Sequence, residues 1–290
     1  MSSEFSLETD HRLHTAAYRM LGNVSDAEDA VQDARLRLME SATAPRNEPA
    51  YLMRTVVNGC IDRLRQRQRD QASYPGPWLP EPLVAPVSEQ PEQRWTSGRQ
   101  MSLGLLHLLE ALSPEERVLY VLRHGFDYRF TEIGEFLGIS EATARQRHRR
   151  AQQKLQASPA AASPSQAQRS LLEALLDKLA RADVDGVAAL LSADAVALTD
   201  GGGKVSAAII PVEGRARIAQ VAVHIFSKPA AAGESQLTWV TVNGCPGLCV
   251  LEDGVPVTVL TLEVEGGQAH RIYAVRNPDK LARVTAALRR

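Results

Sequence analysis

Between Tyr74 and Pro91 the chain carries Pro75, Pro77, Pro80, Pro82, Pro86 and Pro91. Proline fixes φ and removes a backbone donor, so neither a helix nor a central strand fits that stretch. A second interruption, Ala157 to Gln168, is rich in Ala, Ser, Pro and Gln, the composition of a flexible linker. These two breaks divide the chain into three expected units, about 5–72, 100–156 and 167–290, with 73–99 as a proline-rich linker. A length of 290 residues suits two or three compact bodies.

The first two units read as all-helical. Ser25-Asp26-Ala27-Glu28 has the spacing of a capping box, in which a serine oxygen takes a free helix amide and the glutamate reaches back. Ala27, Ala30, Val31, Ala34 and Leu38 then follow helical spacing. Leu52, Val56, Val57, Cys60, Ile61 and Leu64 make a second apolar face, and Ser113-Pro114-Glu115-Glu116 is another capping box with proline at the first helical position. The third unit changes character. An opening helix is expected from about Ala167 to Leu191. Valine-rich alternating runs follow at Ala195–Thr199, Leu237–Val242, Gly247–Leu251, Val255–Val264 and Ala269–Val275, separated by Gly and Asp clusters. A helix over about Gly214–Phe226 lies between, and Asn277-Pro278-Asp279 caps a last helix with Leu281, Val284 and Leu288 on one face. That is an α+β unit, helices against a curved, mostly antiparallel sheet.

The chemistry concentrates between Phe130 and Leu155. A short helix with Ile133, Phe136 and Leu137 apolar leads into Gly138-Ile139-Ser140. There Gly138 can take positive φ, Ile139 can pack inward and Ser140 can cap the next helix. That helix carries Arg145, Arg147, Arg149, Arg150 and Lys154, with no acid between Ala142 and Lys154. Short helix, glycine turn and capped basic helix form a helix-turn-helix, whose second helix enters the major groove. Arginine's fork bonds guanine edges or phosphates. A second basic tract, Arg63, Arg65, Arg67 and Arg69, is either a nucleic-acid contact or an exposed helix end. Asp26, Asp29 and Asp33 share one face opposite the apolar stripe. That face would repel phosphate, so it is either solvated or aimed at a protein.

At these residues the chain resembles a known family. Asp26-Ala27-Glu28-Asp29-Ala30-Val31-Gln32-Asp33 resembles the core-polymerase-binding helix of bacterial extracytoplasmic function (ECF) sigma factors, and Tyr51-Leu52 through Asn58, Asp62 and Arg63 is similar to their promoter-melting helix. The resemblance covers about 5–156. It implies that Asp26, Glu28, Asp29, Gln32 and Asp33 meet the RNA polymerase core. It further implies that Asn58, Arg63, Arg65 and Arg67 lie on the −10 side of promoter DNA, and that Arg145, Gln146, Arg147, Arg149 and Arg150 contact the −35 element. Arg149 stands where an apolar or aromatic residue is common in the family.

The remaining 130 or so residues also carry a resemblance. Trp78-Leu79-Pro80-Glu81-Pro82-Leu83-Val84, Asp200-Gly201-Gly202-Gly203-Lys204 and Asn277-Pro278-Asp279-Lys280-Leu281 together resemble the ECF41 (SigJ-like) subgroup. Its C-terminal domain is similar to the SnoaL and nuclear-transport-factor-2 (NTF2) cone fold. The resemblance implies regulation in cis, with this domain contacting the sigma domains and the linker. Read from the residues alone, Asp200–Lys204 is equally a hairpin turn and Asn277-Pro278 equally a helix cap. Trp78, flanked by prolines, is an apolar anchor expected to dock on the chain.

Other functions are constrained by what the sequence holds. Net charge is −1, so bulk charge draws no polyanion and only local basic faces can. Cys245 and Cys249 form a lone C-x3-C pair, short of the roughly four ligands of a zinc site, so neither metal nor other cofactor is expected. With Cys60 they read as inert thiols of a cytoplasmic protein. No run approaches a membrane span, so no membrane partner or secretion signal is expected. Cone folds can enclose a cavity, leaving two rival readings of the third unit. One is a small-molecule-sensing pocket. The other is a catalytic site drawn from Asp200, His224, His270 and Tyr273, with His224 expected to be packed in its helix.

Overall fold

The structure is a computed structural model that describes residues 7–70, 73–87, 100–156, 165–227 and 234–288. Residues 88–99 of the expected linker, and Ala157–Pro164 of the second interruption, lie outside the described residues. The chain separates into two compact units, and the proline-rich stretch does not stand apart from them. Tyr74–Pro91 and Ser102–Gly104 belong with Ala160–Arg290, while Met1–Ser73, Glu92–Met101 and Leu105–Pro159 make the other unit.

The first unit is helical. Helices α1 (Leu7–Leu21), α2 (Val24–Met39) and α3 (Glu48–Asp70) pack on one another, and α3 also meets α5 (Pro114–Phe126) and α6 (Phe130–Leu137). Between them, α4 (Leu103–Leu108) is followed by a 3₁₀ turn at Leu109–Ala111, and α7 (Glu141–Gln156) closes the unit. Ala27, Ala30 and Ala34 of α2 are buried beside Leu52, Val56, Val57 and Cys60 of α3, where small side chains let two helices approach closely. The cap of α2 differs from expectation. Asn23, not Ser25, caps it, its side chain accepting from the Asp26 amide at 2.9 Å. The helix starts two residues earlier because Val24 is buried and draws its first turn onto the core. The Ser113 capping box forms as expected, with Ser113 N to Glu116 Oε2 at 3.0 Å and Glu116 N to Ser113 Oγ at 3.3 Å.

The second unit is built on a seven-stranded sheet in the order β1-β4-β5-β6-β7-β2-β3. Its strands are β1 (Val84–Pro86), β2 (Leu191–Asp200), β3 (Val212–Glu213), β4 (Ser235–Val242), β5 (Cys245–Glu252), β6 (Val255–Glu265) and β7 (Gln268–Val275). Among the described residues only β2 and β7 pair in parallel. Leu248, Leu262, Val264 and Ile272 face α8 (Ser165–Ala180), α9 (Val184–Ala189) and α10 (Arg215–Phe226) in one apolar cluster. A second cluster holds Val240, Cys249, Val259, Tyr273 and Val275 together with Leu79, Leu103 and α11 (Pro278–Leu288). This is the expected α+β arrangement, helices against a mostly antiparallel sheet.

Three details of this unit depart from the sequence reading. Val84–Pro86 is a strand after all, pairing with Val240–Val242 at the sheet edge, where proline costs no ladder bond. The single opening helix is two, broken where Ala182 takes φ 53° and Asp183 caps α9 by accepting from Gly186 N at 2.8 Å. His224 is exposed on α10, because Ile218, Ala219 and Val223 form the buried stripe and leave it on the outer face.

Candidate nucleic-acid interface and linker clasp

In the first unit α6 ends at Gly138, with φ 66°, and the Ile139 amide donates to Gly134 O at 2.9 Å. Ser140 caps α7, accepting from Thr143 N at 3.2 Å. Gly134 was not singled out from the sequence, yet it fixes the turn. A Cβ there would lie 2.6 Å from the Ile139 carbonyl oxygen, so any side chain would push the two helices apart. The short small-residue gap in an apolar helix was the available signal.

On α7, Arg145, Gln146, Arg149 and Arg150 are exposed and Arg147 is half-buried. Arg145 Nε bonds Glu141 Oε1 at 3.0 Å, and its guanidinium lies 4.9 Å from the Phe130 ring centre. Lys154 is exposed as well, but its ammonium pairs with Glu116 at 2.7 Å. The opposite side of α7 holds a group that sequence reasoning missed. His148 Nε2 lies 2.8 Å from His124 Nε2, and both rings stack with Tyr120. Burial first, then His124 and Arg123, push His148 down to about 4, so its ring is neutral at neutral pH.

Along α3, Asn58 and Arg65 are exposed, Arg63 half-buried, and Arg67 turned inward. Arg67 Nη2 donates to the Leu21 carbonyl, and burial pulls its pKa below the usual arginine value against the opposing pull of Glu110. On α2, Asp29, Gln32 and Asp33 are exposed, with Asp26 and Glu28 half-buried. Asp33 Oδ2 accepts from Arg63 Nη2 at 2.6 Å.

In the second unit the three distant motifs meet. Asp200, 1% exposed, is held from four sides. Its Oδ1 accepts from the Tyr74 hydroxyl at 2.5 Å and from Gly202 N at 3.0 Å. Its Oδ2 accepts from Leu79 N at 2.9 Å and Lys280 Nζ at 2.6 Å. Lys280, itself 5% exposed, also donates to the Leu79 carbonyl and sits 4.0 Å over the Trp78 ring. Asn277 Nδ2 reaches the Tyr74 hydroxyl at 3.1 Å, and Lys204 pairs with Asp279 at 2.5 Å. Burial, then the bond to Asp200, pushes the Tyr74 hydroxyl above its ordinary range. Gly202 and Gly203 both have positive φ, and Cβ atoms there would collide with Asn277 and Pro75. Pro80, Glu81 and Pro82 are buried, with Arg283 Nε 3.7 Å from Glu81. Leu79, fully buried, is the main anchor, and Trp78 is the half-buried lid over Lys280. Tyr74 is the member the sequence reading missed. An aromatic opening a proline run was its only mark.

The catalytic candidates do not converge. Asp200 is committed to four donors. Ser192 Oγ and Asp194 Oδ1 both approach the same nitrogen of His270, at 3.3 and 3.6 Å, so no serine–histidine–acid relay forms. Tyr273 is buried against Glu263 and Arg271. Among the described residues no group of three or more His, Cys, Asp or Glu could hold a metal ion, and no described helix is long and apolar enough to cross a membrane.

A helical unit with a helix-turn-helix and an acidic helix, joined to an α+β unit, defines the class of DNA-binding transcription proteins with an appended domain. Comparison with known proteins sharpens that class. Residues 8–70 match Sigma-70 region 2 and residues 102–155 match Sigma-70, region 4. The chain is 33% identical to the ECF RNA polymerase sigma factor SigJ of Mycobacterium tuberculosis, over 96% of this chain and 92% of that protein. It is 28% identical to the probable ECF RNA polymerase sigma factor SigI of the same organism, over 99% of each. The crystal structure of M. tuberculosis SigJ superposes with a TM-score of 0.75, covering 94% of this chain and 96% of that one. The chain belongs to the ECF RNA polymerase sigma factors, with a C-terminal α+β extension.

Proposed function

We propose that α7 reads the −35 element through Arg145, Gln146, Arg147, Arg149 and Arg150. In the same reading α3 meets the −10 side through Asn58, Arg63 and Arg65, and the face of Asp26, Glu28, Asp29, Gln32 and Asp33 meets the polymerase core. Arg67, turned to the Leu21 carbonyl, drops out of the DNA set. The second unit acts as a switch in cis, not as an enzyme. One observation carries that switch: the chain joining regions 2 and 4 is itself a strand and anchor of the second unit, pinned by Asp200 and Lys280. Such a unit can set how far the two promoter-reading regions separate. The packed apolar cluster between α8–α10 and the sheet favours a switch over a sensing pocket or catalytic cavity.

Two measurements test this. Removing the residues after Gln168 is expected to change transcription from a cognate promoter; unchanged output at equal protein level removes the switch. Arg147→Ala is expected to cost about 1–3 kcal/mol of promoter binding and to relax preference at one −35 position. An equal loss on unrelated DNA reduces that contact to phosphate.

A further inference from the structure

Behind the exposed row of α7, three helices of region 4 bring aromatic rings together. α5 supplies Tyr120 and His124, α6 supplies Phe130, and α7 supplies His148. Tyr120 and His124 stack at 4.2 Å between ring centres, and the Nε2 atoms of His124 and His148 lie 2.8 Å apart. His148 then stands across Phe130, with 5.2 Å between centres and 66° between planes. The chain of rings ends in cations. Two guanidiniums lie over the Phe130 ring, Arg145 at 4.9 Å and Arg123 at 5.1 Å from its centre. Arg123 is tied back, donating Nη1 to the Tyr128 carbonyl at 3.1 Å. Arg145 is the one presented outward, with 62% of its side chain accessible.

An arginine on a helix surface samples many rotamers, and a base contact must offset the entropy of holding one of them. Two groups hold Arg145 in advance, by different parts of the guanidinium. Glu141 takes its edge, accepting from Nε at 3.0 Å and from Nη2, and so uses the same N–H donors that a guanine would use. Phe130 takes its face. The ring attracts the cation through its π cloud and leaves the in-plane fork of donors unspent. Glu141 can therefore be exchanged for a base while the ring contact persists. Resting on the reading of α7 as the −35 helix, we propose that Phe130 is a positioning residue for Arg145. Its ring, braced by His148 and His124, sets the plane in which the guanidinium meets its base pair. A fork held in one plane can tell one base edge from another, whereas a loose one serves a phosphate equally well.

The test uses the full chain assembled with core RNA polymerase. The probes are a fluorescent promoter duplex from which that holoenzyme transcribes, each single-base-pair variant of its −35 element, and an unrelated duplex. Arg145→Ala is expected to weaken promoter binding about tenfold and to flatten the preference at one base pair. Phe130→Leu, which keeps an apolar side chain without a π face, is expected to weaken it about threefold and to flatten the preference at that same base pair. The double variant should bind no more weakly than Arg145→Ala alone, because the two changes remove one contact. Phe130→Tyr, which keeps the ring, should restore wild-type affinity and preference. A holoenzyme yield equal to wild type shows that Phe130→Leu folds, and Phe130→Met takes its place otherwise. With Arg145→Ala behaving as expected, three results each overturn the positioning role alone: unchanged preference in Phe130→Leu, an equal loss on the unrelated duplex, or no rescue by Phe130→Tyr. If Arg145→Ala flattens no position, the reading of Arg145 as a base contact fails and takes the positioning role with it.

Discussion

At Asp200 a carboxylate without access to water meets Lys280, Tyr74 and the Leu79 amide, so each of its bonds carries weight. A buried pair contributes little net stability over a well-packed apolar pair, but breaking it strands the partner charge. Asp200→Asn is expected to destabilise the second unit by about 3–5 kcal/mol. Asp200→Asn combined with Lys280→Met should recover much of that loss; urea unfolding followed by tryptophan fluorescence measures both. Should the double variant be no better than the single, the cost lies in lost hydrogen bonds and not in stranded charge. Glu263 supplies a pH signature on the same sheet. It is 4% exposed, and burial raises its carboxyl from 4.5 to about 7 against the opposing Arg271. A raised carboxyl pKa means the folded state binds the extra proton. The associated stability is full below about 4.5 and fades as pH rises toward 7, on the order of 3 kcal/mol in all. Glu263→Gln should flatten this slope, and a slope that survives the substitution assigns it to another group.

At the scale of elements, most of the helices were legible because their signals are local. Periodicity, the Ser113 box and the Gly138 turn each lie within a few residues, and the helix-turn-helix follows from them. What stayed hidden depends on partners far along the chain. The edge strand Val84–Pro86 exists because β4 has an unpaired edge for it. Tyr74 matters because Asp200, 126 residues later, needs a donor. The three motifs were visible as strings, but no spacing rule says that residues near 78, 200 and 280 share one buried ion pair. Asn23 shows the smaller error: two caps competed within three residues, and burial of Val24 decided between them. The glycine pair of the DNA-reading turn gives a direct test. Gly134→Val meets the Ile139 carbonyl and is expected to cost more than 2 kcal/mol, with loss of duplex binding. Gly138→Ala meets nothing and pays only the positive-φ strain, about 1 kcal/mol, and should keep DNA binding. Equal losses at the two positions would mean the turn is held by something other than this close approach.

For the whole molecule, connectivity matters more than any single contact. Residues 74–91 leave region 2 and enter the second unit, and 102–104 belong to that unit again before region 4 continues from Leu105. An extended chain spans at most about 3.3–3.6 Å per residue, so every residue fixed on the sheet shortens the reach left to the two promoter-reading regions. The C-terminal extension can thus act on transcription through the tether alone. Leu79→Asp removes the buried anchor and places a second carboxylate beside Asp200, while leaving α7, α3 and α2 unaltered. Its effect on transcription from a cognate promoter is expected to match, in direction, removal of everything after Gln168. Limited proteolysis within Tyr74–Pro86 shows independently whether the tether has come free. A variant that is cleaved there yet transcribes as wild type, while the truncation does not, would show that the extension works through a surface other than the linker it holds.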